Sequence, residues 1–115
     1  MAFIRISQAH GRVPVTVFHI QDRVNLGNYK ELEQTARDAH TNGMRDLVID
    51  LSQTPSLTSI GIRSLVTMYK MLGADEAKHL KLAGAISPIR EMLQIAGLAE
   101  AIEMYDTVEE AVASF

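Results

Sequence analysis

Two adjacent hydroxyl residues, Thr58 and Ser59, stand where a short turn leads into a helix signal. The turn follows DLVIDL, residues 46–51, an apolar run that is typical of a strand covered on both faces. A helix start offers unpaired N–H groups and a positive dipole end, so it would stabilise a phosphate on Ser59 by roughly 0.3–1 kcal/mol at a surface. That phosphate adds about −1.5 to −2 charges, which would disrupt an interface that accepts a neutral hydroxyl.

The simpler interpretation of the pair is that Thr58 or Ser59 is only the N-cap of the helix. If Ser59 is instead a phosphorylation switch, the unpaired backbone N–H groups of Ile60, Gly61 and Ile62 would donate to its phosphate. Glycine at position 61 would also allow a close approach of the backbone. The residues alone favour the cap, because hydroxyl caps are common at helix starts.

Residues suited to catalysis or metal binding show no recognisable arrangement. There is no cysteine, and the four histidines lack metal-ligand spacing. Glycine-rich nucleotide-binding motifs and a nucleophile elbow are missing, and no carboxylate pair lies in an apolar setting. We therefore expect no enzyme activity, no catalytic residue, no metal and no cofactor.

Composition favours one domain over residues 1–115, since 115 residues with 47% hydrophobic content can form one core. The net charge is −3 and no basic block indicates nucleic acid. No window approaches the ~20 apolar residues of a membrane span, so membrane insertion is not expected. The lack of signal-peptide character and of cysteine predicts a cytoplasmic protein.

The hydrophobic patterns predict the order ββαβαβαβα, an α/β domain with a mixed sheet of about five strands. A hairpin spans residues 3–20, and a helix capped by Asn25 or Asn28 ends near Asn42-Gly43. A second helix covers 59–72. A strand over 80–86 then leads to a helix capped by Ser87, and a last short strand at 103–105 leads to a helix capped by Asp106 or Thr107.

The run LVIDLSQTPSLTSIGIRSLVTMYKML resembles the signature of STAS domains, the anti-sigma factor antagonist family. That family has a strand ending Asp-Leu-Ser and, after a turn, Asp-Ser-Ser-Gly-Leu at a helix start. The residues that match are Asp50, Leu51, Ser52, Ser59, Gly61 and Ile62. The later run LAGAISPIREMLQIAGLAEAIEMYDTVEEAVASF is similar to the family in its order of elements, so the resemblance covers essentially the whole chain. It implies a sheet with helices mainly on one face.

The resemblance implies a role for Ser59. The matching serine of the family is phosphorylated by an anti-sigma factor that is itself a serine-protein kinase. The unphosphorylated domain binds that kinase and frees a sigma factor, and a phosphatase restores the hydroxyl. The chain is thus expected to be a cytoplasmic protein that regulates transcription by binding, with Ser59 as its switch and with a homodimer left open.

Three positions depart from the family pattern. Thr58 and Asn25 stand where aspartates are usual, and Ile60 replaces the second serine. Thr58 is an alternative phosphate acceptor. The alternative function is a STAS scaffold or accessory subunit of a signalling complex or lipid transporter, without phosphorylation. A small enzyme or nucleotide-binding protein of this fold class is a third.

The predicted partner-binding surface combines the loop at 22–28, the turn at 54–58 and the outer face of the 59–72 helix. Its members lie in that loop, at the helix start and on the outer face of the helix. They are Asn25, Thr58, Ser59, Ile60, Gly61, Arg63, Thr67 and Lys70.

Overall fold

A five-stranded sheet and four α-helices make up the computed structural model, which describes residues 2–73 and 78–115. The strands are β1 Ile4–His10, β2 Pro14–Ile20, β3 Leu47–Asp50, β4 Leu80–Ala83 and β5 Glu103–Tyr105. The helices are α1 Tyr29–Thr41, α2 Ser59–Met71, α3 Ser87–Ile95 and α4 Val108–Ala113, with a 3-10 turn at Leu98–Glu100. The predicted order of elements is confirmed.

The strands lie side by side in the order in which they occur in the chain. The β1–β2 pair is an antiparallel hairpin, and β2 to β5 pair in parallel through helical crossovers. The predicted mixed sheet is therefore confirmed. In this register His19 of β2 lies beside Asp50 of β3, and Ser7 of β1 lies opposite Val17. Three polar side chains from distant parts of the chain consequently share one region of the sheet.

Two apolar layers cover the sheet. The larger layer packs α1, α2 and α3 against one face, and Phe18, Ile49 and Leu82 lie at its centre. The smaller layer packs α4 against the other face through Ala111 and Val112. Every residue of β3 is buried, which explains the apolar run Leu47–Ile49. The expectation of helices mainly on one face is confirmed, with α4 on the opposite side.

Several element ends differ from the sequence prediction. The β4 strand stops at Ala83 rather than continuing to residue 86, because Gly84 adopts a left-handed φ of 72°. Ile86 is the cap residue of α3, and Ser87 is the first helical residue rather than the cap. At α4 the prediction of Thr107 is confirmed, since its hydroxyl accepts the Glu110 backbone N–H at 3.1 Å.

A buried lysine fastens the end of the chain to the sheet. Lys81 of β4 is only 5% exposed. Its ammonium donates to the Ser114 hydroxyl at 2.8 Å and backbone carbonyl at 3.1 Å, and pairs with Glu103 at 3.1 Å. It also lies 4.3 Å from the centre of the Phe115 ring. These contacts offset the cost of burying the charge.

Candidate functional site

Thr58 caps the α2 helix with a hydroxyl that makes two hydrogen bonds. Its Oγ1 accepts the Gly61 backbone N–H at 3.4 Å and donates to the Val24 carbonyl at 3.1 Å. The Thr58 backbone N–H donates to the same Val24 carbonyl at 3.2 Å. The capping role that the sequence divided between two hydroxyls therefore belongs to Thr58.

Ser59 is the first residue of α2, and its side chain is exposed. Its hydroxyl makes no hydrogen bond to any part of the chain that the structure describes. Of the three donors expected nearby, two are occupied: Gly61 N–H bonds Thr58 Oγ1, and Ile62 N–H bonds the Thr58 carbonyl at 3.0 Å. Only the Ile60 N–H of those three has no acceptor within the described ranges, so the helix start keeps a smaller set of free donors than predicted.

Gly61 is buried, so little of its surface is available to a partner. A Cβ at this position would lie 3.1 Å from Val24 Cβ and 3.2 Å from Leu57 Cδ2. Such distances are tighter than ordinary van der Waals contact. The glycine thus lets the first turn of α2 pack directly on the two segments that precede it.

The loop at 22–28 is bonded to the turn at 54–58. Val24 forms an isolated parallel bridge with Leu57, and its N–H donates to the Ser56 carbonyl at 3.3 Å. Asn25 is half-buried, and its side-chain oxygen accepts the Gly27 N–H at 2.8 Å. The Asn25 carboxamide therefore stabilises its own loop, a task that needs no charge.

The outer face of α2 forms a small groove with α1. Ile60, Arg63 and Thr67 line it together with Tyr29 and Glu33, around a volume of about 140 Å³. The structure brings these three predicted residues together. The fourth predicted residue of this face, Lys70, is exposed but does not line the groove.

Sequence reasoning missed three contributors from the neighbouring segments: Tyr29 and Glu33 of α1, which line the groove, and Leu26. Leu26 is 73% exposed within the loop at 22–28, where an apolar side chain has no packing reason to be. Glu33 of α1 lies below the groove, where its Oε2 accepts the hydroxyl of fully buried Ser64 at 2.8 Å. An isolated leucine between polar turn residues was the available signal for Leu26, whereas the pairing of Glu33 depends on helix packing.

Asp50, the last residue of β3, holds the beginning of the turn that leads to Ser59. Its Oδ1 accepts the Ser52 N–H at 3.0 Å, and its Oδ2 lies 2.7 Å from His19 Nδ1. Burial raises the pKa of this carboxyl, but the hydrogen bonds from Ser52 and His19 lower the pKa below its ordinary value overall. Asp50 is therefore an ionised acceptor at neutral pH.

Neither a metal centre nor a membrane helix is visible in the part of the chain that the structure describes. No three histidine, aspartate or glutamate side chains there are grouped so as to hold a metal ion. Likewise, none of the helices in the described ranges is long and apolar enough to cross a membrane.

Comparison of the structure with solved structures gives a consistent fold. An anti-sigma factor antagonist from Mycobacterium paratuberculosis is 24% identical, with a TM-score of 0.83 over 96% of this chain and 91% of that one. The Bacillus cell fate determinant SpoIIAA in its phosphorylated form is 15% identical, with a TM-score of 0.72 over 96% and 97%. A sulfate transporter family protein from Wolinella succinogenes is 18% identical, with a TM-score of 0.72 over 87% and 83%.

The sequence itself identifies the family. No curated protein matches the chain significantly. The model of the STAS domain matches residues 7–111, which is nearly the full length, from within β1 to within α4. The chain therefore belongs to the STAS domain family.

Proposed function

We propose that this domain is an anti-sigma factor antagonist that binds an anti-sigma factor with serine-kinase activity and thereby frees a sigma factor. Phosphorylation of Ser59 ends the complex, and a phosphatase restores it. The observation that supports this most directly is the exposed Ser59 hydroxyl, without a partner in the described part of the chain, on the first residue of α2 in a STAS domain. The domain acts in the cytoplasm by binding, not by catalysis.

The surroundings of Ser59 suit a charge-controlled interface. Ile60 adjoins it and is half-exposed, and Leu26 extends from the loop that Val24 bonds to the helix start. A partner covering these apolar groups would also remove water from residue 59. A neutral hydroxyl tolerates this, whereas a phosphate would lose its hydration and weaken the complex.

Ser59 is a better acceptor than Thr58 for a geometric reason. The Thr58 hydroxyl already accepts from Gly61 and donates to Val24, and phosphorylation would remove the proton that it donates to the Val24 carbonyl. The Ser59 hydroxyl is free to enter a kinase active site without any loss to the fold. This difference supports the serine as the switch residue.

The test is to incubate the protein with a serine-kinase anti-sigma factor and ATP and to locate phosphate by mass spectrometry. We expect one phosphate on Ser59 and loss of the complex in proportion to its incorporation. Ser59→Ala should abolish phosphorylation, while the matched Thr58→Ser variant should keep it. Phosphate on residue 58, or neither phosphate nor complex, would contradict the proposal.

A second candidate is a STAS scaffold or accessory subunit that binds its partner permanently. The exposed Leu26 side chain and the apolar Ile60 beside Ser59 favour it, since apolar contacts need no phosphorylation cycle. A complex that survives Ser59→Asp but weakens on Leu26→Ser would support this function over the first. A homodimer remains a prediction, which light scattering at two protein concentrations tests.

A further inference from the structure

A second serine lies on the opposite face of the sheet, hydrogen-bonded to a histidine. Ser7 Oγ of β1 is 2.9 Å from His19 Nε2 of β2, and His19 Nδ1 is 2.7 Å from Asp50 Oδ2 of β3. The three side chains therefore form one relay across three neighbouring strands. Nucleophile, base and orienting carboxylate within hydrogen-bond reach are the structural signature of an activated serine.

The protons in this relay have one arrangement when the imidazole is neutral. Asp50 is ionised and fixed by the Ser52 N–H, so it can only accept from His19. Nδ1 then carries the imidazole proton, and the lone pair of Nε2 faces the Ser7 hydroxyl. The Ser7 O–H donates to that lone pair, which is the polarity required for His19 to remove its proton.

The relay opens into a cleft that could admit a small molecule. The cleft has a volume of about 590 Å³, and the His19 and Asp50 side chains at its floor are 15% and 11% exposed. Ala9, Val17 and Val108 give it an apolar side. Arg5 lines the same cleft two residues before Ser7, on the same face of β1. Its guanidinium is a donor suited to a developing oxyanion.

We propose that Ser7 is a nucleophile that takes a short, uncharged acyl group from an activated ester. Ser7 Oγ forms a bond to the ester carbonyl carbon, and His19 Nε2 receives the hydroxyl proton. The bond between that carbon and the alcohol oxygen breaks, and the alcohol leaves as an alkoxide or aryloxide. The product is an ester on Ser7, and the step is independent of the function proposed for Ser59.

The experiment uses p-nitrophenyl acetate and the whole protein. Release of p-nitrophenolate is followed by absorbance, and the acetyl group is located by peptide mass spectrometry. We expect acetylation of Ser7 and none at Ser59, which is exposed and has no hydrogen-bonded base among the described residues. Ser7→Ala should abolish the acetylated product. Equal acetylation of several serines, or none at Ser7, would overturn the proposal.

The Asp50→Asn variant tests whether Asp50 orients the His19 imidazole or only supports the folded structure. The asparagine oxygen can still accept the Ser52 N–H, but its NH₂ faces His19 and demands the other tautomer. Nε2–H would then donate to Ser7, and acetylation should slow by about a hundredfold or more. Imidazole ¹⁵N shifts should report the tautomer change, and circular dichroism should show an unchanged fold. A folded Asp50→Asn protein acetylated at the normal rate would also overturn the proposal.

Discussion

Ser59 and Ser7 are both accessible serines, but their surroundings differ in one respect. The Ser59 hydroxyl lies at the start of a helix and has no partner among the described residues, whereas the Ser7 hydroxyl is bonded to His19. A serine without a base depends on an external enzyme for its reactivity. A serine with a bonded imidazole carries its base within the fold.

The two serine hydroxyls also differ in how much they contribute to the stability of the fold. Ser59 was left free because the neighbouring Thr58 took over the capping bonds. Ser7 belongs to a chain of bonds that ties β1, β2 and β3 together through His19 and Asp50. Modification of Ser59 should therefore act on partners, whereas a change in the relay should also lower the stability of the folded protein.

The largest expected effect comes from His19→Ala, which removes the imidazole partner of the part-buried Asp50 carboxylate. We expect a loss of about 1–3 kcal/mol in the free energy of unfolding, measured with urea. His79→Ala is the matched control, because His79 pairs with Asp46 at 2.9 Å with the histidine 27% exposed. Equal losses at the two histidines would remove the distinction between the relay and another part-buried histidine–aspartate pair.

Thr58→Ala should cost about 1 kcal/mol of stability through loss of the α2 cap. The Val24 carbonyl stays satisfied by the Thr58 backbone N–H, which limits the damage. Thr58→Ser retains the capping oxygen and should restore most of the loss. Hydrogen exchange at the Gly61 amide would show the local effect, and unchanged protection in Thr58→Ala would contradict the assignment of the cap.

Acidification should lower the free energy of unfolding by less than these substitutions do. The reason is that burial raises the pKa of Asp50 and so opposes the hydrogen bonds that lower it. The stability from this depressed pKa is fully present above the ordinary aspartate value of about 3.9 and is lost as pH falls through the lower folded-state value. Urea unfolding of the wild type and Asp50→Asn across this range should show their difference shrinking with acidification. A difference that grows instead would reverse the sign of the linkage.

The smallest expected effect is that of Ser59→Ala, within about 0.5 kcal/mol of the wild type in unfolding free energy. The hydroxyl is exposed and makes no hydrogen bond within residues 2–73 and 78–115, so its removal leaves no buried group there unsatisfied. Thermal or urea unfolding is sufficient to measure it. A loss as large as that of Thr58→Ala would mean that Ser59 shares the capping role.

The sequence was enough to predict the sheet, the helices and their order, because apolar periodicity is a local signal. It also pointed to the hydroxyl pair at 58–59, since a cap and a turn are local too. The relay was missed because strand register, which no single segment encodes, brings Ser7, His19 and Asp50 together. The end of β4 was misjudged because Gly84 takes a left-handed conformation within an apolar run.

The reactivity of the buried Lys81 amine can report how often the layer that α4 forms detaches from the sheet. Its amine is enclosed by Ser114, Glu103 and the Phe115 ring, whereas the Lys70 side chain is exposed. An acylating reagent for amines should therefore modify Lys70 quickly and reach Lys81 only during transient detachment of the chain end. The ratio of the two labelling rates would measure how often this layer opens in the native protein.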